Sequence, residues 1–95
     1  MRVTTKEQEV IKSYAMSIFG DGSSVYIFGS RADDTKRGGD IDIYIETSED
    51  DILDKKIQYL VELEKKLGEQ RVDIVINNNK DQKPIFEIAR RGVKL

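Results

Sequence analysis

The sequence predicts an α/β (α+β) fold: a small mixed sheet of three or more strands backed by helices, in the order αβ(α)βαβα. Three observations predict it. Residues 40–46, Asp-Ile-Asp-Ile-Tyr-Ile-Glu, alternate polar and apolar throughout, as a strand with one buried face does. Val25-Tyr26-Ile27-Phe28 and Arg71-Val72-Asp73-Ile74-Val75-Ile76 are two further β-rich runs. Apolar residues at helical spacing precede, separate and follow these runs.

In chain order, Thr5-Lys6-Glu7-Gln8 has the form of a capping box, a hydroxyl with an amide three residues on. Val10, Ile11, Tyr14, Ala15, Ile18 and Phe19 then keep helical spacing until Gly20-Asp21-Gly22. Gly29-Ser30 breaks the first strand, and Arg31-Ala32-Asp33-Asp34 forms one helical turn. Lys36-Arg37-Gly38-Gly39 is a loop before the alternating strand. Ser48 with Asp51 predicts the next cap. Leu53, Ile57, Leu60 and Leu67 line one face of that helix, which Gly68 ends. Asn77-Asn78-Asn79 reads as a loop. Asp81 caps a last helix carrying Ile85, Phe86, Ile88 and Ala89, closed by Gly92.

The 95 residues fit one domain, 1–95. The net charge of -2 argues against strong unaided binding to nucleic acid, which needs a positive excess. Cysteine and histidine are both absent, so thiolate and imidazole chemistry are excluded. A bound metal would take oxygen ligands, which favours Mg²⁺ or Mn²⁺ over Zn²⁺. Neither a membrane-length apolar run nor a signal-peptide pattern is present, and a cytoplasmic protein is expected.

Alternation puts Ile41, Ile43 and Ile45 on one face and Asp40 and Asp42 on the other. Two such charges about 6 Å apart repel by about 3 kcal/mol at an effective dielectric near 20. A divalent cation would turn that cost into affinity; a solvated outer face is the plain alternative. Asp73 interrupts an apolar strand that should be largely buried, where an unpaired carboxylate is expensive. It either pairs with Arg71 or Arg31, or faces Asp40 and Asp42 and completes a three-carboxylate cluster suited to two metal ions. Gly29-Ser30 stands where a strand gives way to a helical turn. Such a place offers N–H groups and a hydroxyl to phosphate, though an ordinary turn has the same composition. Arg31, Lys36 and Arg37 lie close enough in sequence to neutralise a triphosphate, or are solvated loop charges. Tyr44 and Glu46 share the face of Asp40 and Asp42, where they line a cleft or serve structure.

Taken together, Val25-Tyr26-Ile27-Phe28-Gly29-Ser30, Gly38-Gly39-Asp40-Ile41-Asp42-Ile43 and Val72-Asp73-Ile74-Val75 resemble the signature of the polymerase-β-like nucleotidyltransferase superfamily. The chain looks most like its minimal nucleotidyltransferases (MNT), often encoded beside a helical HEPN toxin as its antitoxin. The resemblance implies that Asp40, Asp42 and Asp73 are the catalytic, metal-holding carboxylates, with Asp73 serving the metal or as base. It implies that Gly29 and Ser30, with Arg31 beside them, bind the nucleotide. Mg²⁺ or Mn²⁺ would be the cofactor and ATP the substrate, with AMP passing to a tyrosine of the HEPN-like toxin partner. A site open on one side implies that a partner or a second copy, as a homo-oligomer, supplies the missing wall. Rival expectations are an antitoxin acting by binding alone, and transfer to a small molecule or a nucleic-acid end. The spacer from Ser30 to Asp40 is nine residues, shorter than the family's commonest spacing, and Asp33-Asp34 replace a common glycine.

Overall fold

The computed structural model describes residues 1–35 and 39–95. The predicted loop residues Lys36, Arg37 and Gly38 lie outside the described residues. The elements are α1 (Thr5–Phe19), β1 (Ser24–Phe28), a 3₁₀ turn (Gly29–Ala32), β2 (Ile41–Glu46), α2 (Ile52–Leu67), β3 (Val72–Asn77), α3 (Pro84–Arg90) and β4 (Val93–Lys94). The sheet order is β3-β2-β1-β4. β3 runs parallel to β2, while β1 is antiparallel to both β2 and β4. The predicted mixed sheet backed by helices is the one observed, with a fourth strand added.

The alternation of β2 builds the sheet's two faces. Ile41, Ile43 and Ile45 are fully buried under α1 and α2, in one cluster with Ile11, Ala15, Phe19, Val25, Ile27, Tyr59, Leu63 and Ile74. A smaller cluster of Phe28, Tyr44, Phe86 and Ala89 joins α3 to the opposite face. Two buried hydroxyls of the larger core have partners, as burial demands. The Tyr59 hydroxyl donates to Ile11 O at 2.6 Å, and the Thr47 hydroxyl donates to Phe19 O at 2.8 Å.

Several local expectations change. α1 is capped by Thr4, not Thr5. Thr4 Oγ1 accepts from Glu7 N, and Glu7 Oε1 accepts from Thr4 N at 2.9 Å. Two overlapping registers were available, and the one ending in a charged acceptor suits the positive end of a helix. Ser48 does not cap α2. The Thr47 hydroxyl accepts from Glu49 N at 3.1 Å and shapes the turn, and the helix starts after Asp51. Leu53 and Ile57 are exposed, at 69% and 54%, because Tyr59 and Leu63 occupy the core side. Lys83, not Asp81, precedes the last helix, with Pro84 at its first position, where a missing N–H costs nothing. Asn77 belongs to β3, not to the loop. Its side chain is buried and donates to Tyr44 Oη at 3.0 Å. β4 is two residues long, too short for any periodicity. It forms because Gly92 lies so close to Ile27 O that a Cβ could not fit. Among the described residues no helix is long and apolar enough to cross a membrane.

Candidate active site

The carboxylates gather at one end of the sheet, where β1 ends and β2 and β3 begin. Register sets their spacing. Phe28 of β1 lies opposite Asp42, and Asp42 lies opposite Asp73. Asp42 and Asp73 are therefore cross-strand neighbours on strands about 4.8 Å apart. Asp40 stands just before β2, with Arg71 Nε 3.6 Å from its Oδ2.

Asp73 is exposed rather than buried. The expectation of a costly buried anion fails because β3 is an edge strand, and one side of Asp73 opens to solvent. Neither proposed arginine pairs with it. Arg71 faces Asp40. Arg31 is committed elsewhere: its guanidinium donates to Gly39 O at 3.2 Å, Arg2 O at 2.9 Å and Gln70 Oε1 at 3.2 Å. That side chain ties the turn to the N-terminal segment and to the entry of β3, so its contact with the site runs through the backbone it holds.

Gly29 packs directly against Asp42. Its φ is +74°, and a Cβ there would lie 3.2 Å from Asp42 Cγ and closer still to Oδ2. Only glycine meets both conditions without strain. The turn that follows is four residues of 3₁₀ helix with no side-chain cap at its start. It offers local N–H groups to an anion but is too short for the dipole of a full helix. Ser30 is half-buried, and its hydroxyl makes no hydrogen bond among the described residues.

Electrostatics single out Asp42. Burial, and then the charges of Asp73 and Asp40, push its carboxyl above the usual aspartate range. Such a shift marks a carboxylate whose charged form is disfavoured first by burial and then by like charge. Among the described residues no group of three or more acidic side chains is arranged to hold a metal ion unaided. The expected three-carboxylate cluster is not assembled as a metal cage: Asp42 and Asp73 are cross-strand neighbours, and Asp40 stands just before β2 beside Arg71. Mg²⁺ is commonly held by one or two carboxylates with substrate phosphates completing the shell.

Tyr44 lines no cleft, and Glu46 lines only a shallow surface pocket with Gly22, Ser24, Thr47, Ser48 and Asn79, which none of Asp40, Asp42 and Asp73 lines. Tyr44 is fully buried and donates to Glu46 Oε2 at 2.8 Å, and Arg90 Nε donates to the same oxygen at 2.8 Å. With Asn77 they form a polar tie under α3. Burial and the neighbouring Glu46 charge push the Tyr44 phenol up. Sequence reasoning missed this tie because Arg90 and Asn77 lie far from Tyr44 along the chain.

The comparisons agree with this geometry. A family model described as polymerase beta, nucleotidyltransferase, matches residues 8–95. No curated protein matches the chain. The family typically uses a nucleoside triphosphate and a divalent metal, and the carboxylate oxygens of Asp40, Asp42 and Asp73 are ligands of the type such a cation takes. With the matched region spanning both Asp42 and Asp73, the chain belongs to the polymerase beta nucleotidyltransferase family.

Proposed function

We propose that the chain transfers AMP from ATP to a protein hydroxyl, a tyrosine of a HEPN-type toxin partner, and thereby acts as its antitoxin. The observation that carries this reading is the Asp42–Asp73 pair in register beneath the Gly29 turn. Asp42 and Asp73, with Asp40, would hold Mg²⁺ or Mn²⁺. When bound, that ion supplies the positive charge that offsets the triphosphate and the developing pyrophosphate.

The chain's own groups do the rest. Backbone N–H groups from Gly29 onward, and the Ser30 hydroxyl, bind phosphate oxygens. Arg31 orients the turn through its bonds to Arg2 and Gly39. Asp73, exposed at the sheet edge, takes the proton of the attacking hydroxyl. The hydroxyl oxygen bonds to the α-phosphorus as the bond to the leaving pyrophosphate breaks. The exposure of Asp73 also supports an acceptor carried by another chain, since no described residue walls that side.

A second reading, an antitoxin that works by binding alone, draws on the lack of a complete carboxylate cage among the described residues. One experiment separates the two. The protein is mixed with the product of its neighbouring gene, labelled ATP and Mg²⁺. Covalent AMP on the neighbour, abolished by Asp73→Asn while the complex still forms, is the expected result. A complex that neutralises its partner with no transferred label would establish the second reading instead.

A further inference from the structure

We propose that the outer edge of β3 and the apolar side of α2 form a two-fold interface with a second copy of this chain. Among the described residues, β3 closes one side of the sheet without a neighbour. Ile41 N donates to Arg71 O at 2.9 Å, and Thr47 N donates to Asn77 O at 3.0 Å. Peptide groups alternate sides along a strand, so Val72, Ile74 and Ile76 turn theirs outward, away from β2. An open edge of this kind is a template for another strand.

The flank above the edge is apolar. Leu53, Ile57 and Val61 are 69%, 54% and 45% exposed, and their i, i+4, i+8 spacing makes one stripe on α2. Two shallow grooves run along the same edge. One, of about 390 Å³, is lined in part by Leu53, Lys56, Ile76 and Lys83. The other, of about 420 Å³, is lined by Leu60, Glu64, Glu69, Gln70 and Val72. The edge is therefore basic at its Ile76 end and acidic at its Val72 end. None of these four charged side chains has an ion-pair partner among the described residues.

That polarity selects the occupant. A two-fold axis crossing β3 at Ile74 pairs the strands antiparallel, with Val72 of each copy opposite Ile76 of the other. The basic end of each copy then meets the acidic end of its mate, and both apolar stripes are covered. The same axis sets the two α2 helices antiparallel and brings Lys56 of each toward Glu64 of the other. Such a face is self-complementary, as an isologous interface must be. A uniformly acidic peptide would suit only one end and be repelled at the other. The pairing also extends the sheet past Asp73, giving the site a wall it otherwise lacks.

The test is sedimentation of the whole chain over a wide concentration range, alone and with the neighbouring gene product. The expected result is a concentration-dependent species of twice the 10.9 kDa chain mass. Lys56→Glu and Glu64→Lys should each weaken it about tenfold or more by opposing like charges, and the double reversal should restore it. Both side chains stand away from the buried core, and circular dichroism checks that each variant stays folded. A chain that remains monomeric at millimolar concentration overturns the proposal. So does a dimer that ignores both single reversals, or a monomer whose α2 stripe binds the neighbouring protein and loses it on Ile57→Glu.

Discussion

The two faces of the sheet divide the protein's tasks. Beneath α1 and α2, β2 presents Ile41, Ile43 and Ile45, all fully buried, and the Tyr59 and Thr47 hydroxyls reaching that side are hydrogen-bonded. On the opposite face the same strand presents Asp42, Tyr44 and Glu46. Only the Tyr44 end is covered by α3, while Asp42 is left beside another aspartate. The carboxylates record the contrast. Glu7, in the cap of α1, is held below the usual range by hydrogen bonds from Gln70 and Thr4. Asp42 is pushed above it by burial and like charge. One face lowers the free energy of the fold, and the other gives up part of that gain to keep charge ready for a ligand.

Breaking the covered face should have the largest effect. Leu63→Ala, at a fully buried position, should cost about 2–5 kcal/mol. Denaturant titration would read this as a lower midpoint with an unchanged slope. A loss below about 1 kcal/mol would mean that the α2 face is less tightly packed than its burial implies.

Gly29→Ala sits where the two faces meet. The backbone there has φ +74° and lies against Asp42, so an added Cβ should cost about 1–3 kcal/mol of stability. Nucleotide affinity, read by fluorescence titration, should fall further than that loss explains. Equal ATP affinity in a folded variant would reduce the turn to a structural device.

Much of this division is legible in the sequence. The alternation at residues 40–46 is enough to assign both faces of β2. Gly29-Ser30, Asp-x-Asp and the later aspartate identify the family because local chemistry forces each motif to be contiguous. What the sequence hides is tertiary. Whether Asp73 is buried depends on β3 being an edge strand, which no local pattern states. The role of Arg31 depends on acceptors at residues 2, 39 and 70. Leu53 and Ile57 have the spacing of a core face, yet Tyr59 and Leu63 take that place, since the apolar arc of α2 is wider than the face the sheet and α1 cover. β4 depends on a close backbone approach at Gly92 and leaves no periodic trace.

The most direct test sets stability against binding at Asp42. The raised folded-state pKa means the native protein holds this proton more tightly than the unfolded chain does. Its contribution to stability is full below the unfolded aspartate pKa and is lost as pH rises through the higher folded value. Asp42→Asn removes that loss. Thermal melting of wild type and Asp42→Asn at neutral pH, metal-free and again with Mg²⁺ and ATP, reads both quantities at once. Metal-free, the variant should melt higher than wild type, with the difference shrinking in acid. With ligand at about a hundred times its dissociation constant, wild type should gain about 2.7 kcal/mol, and the variant should gain little. A variant that melts lower than wild type without metal, yet is stabilised by Mg²⁺ and ATP to the same extent, would contradict the account.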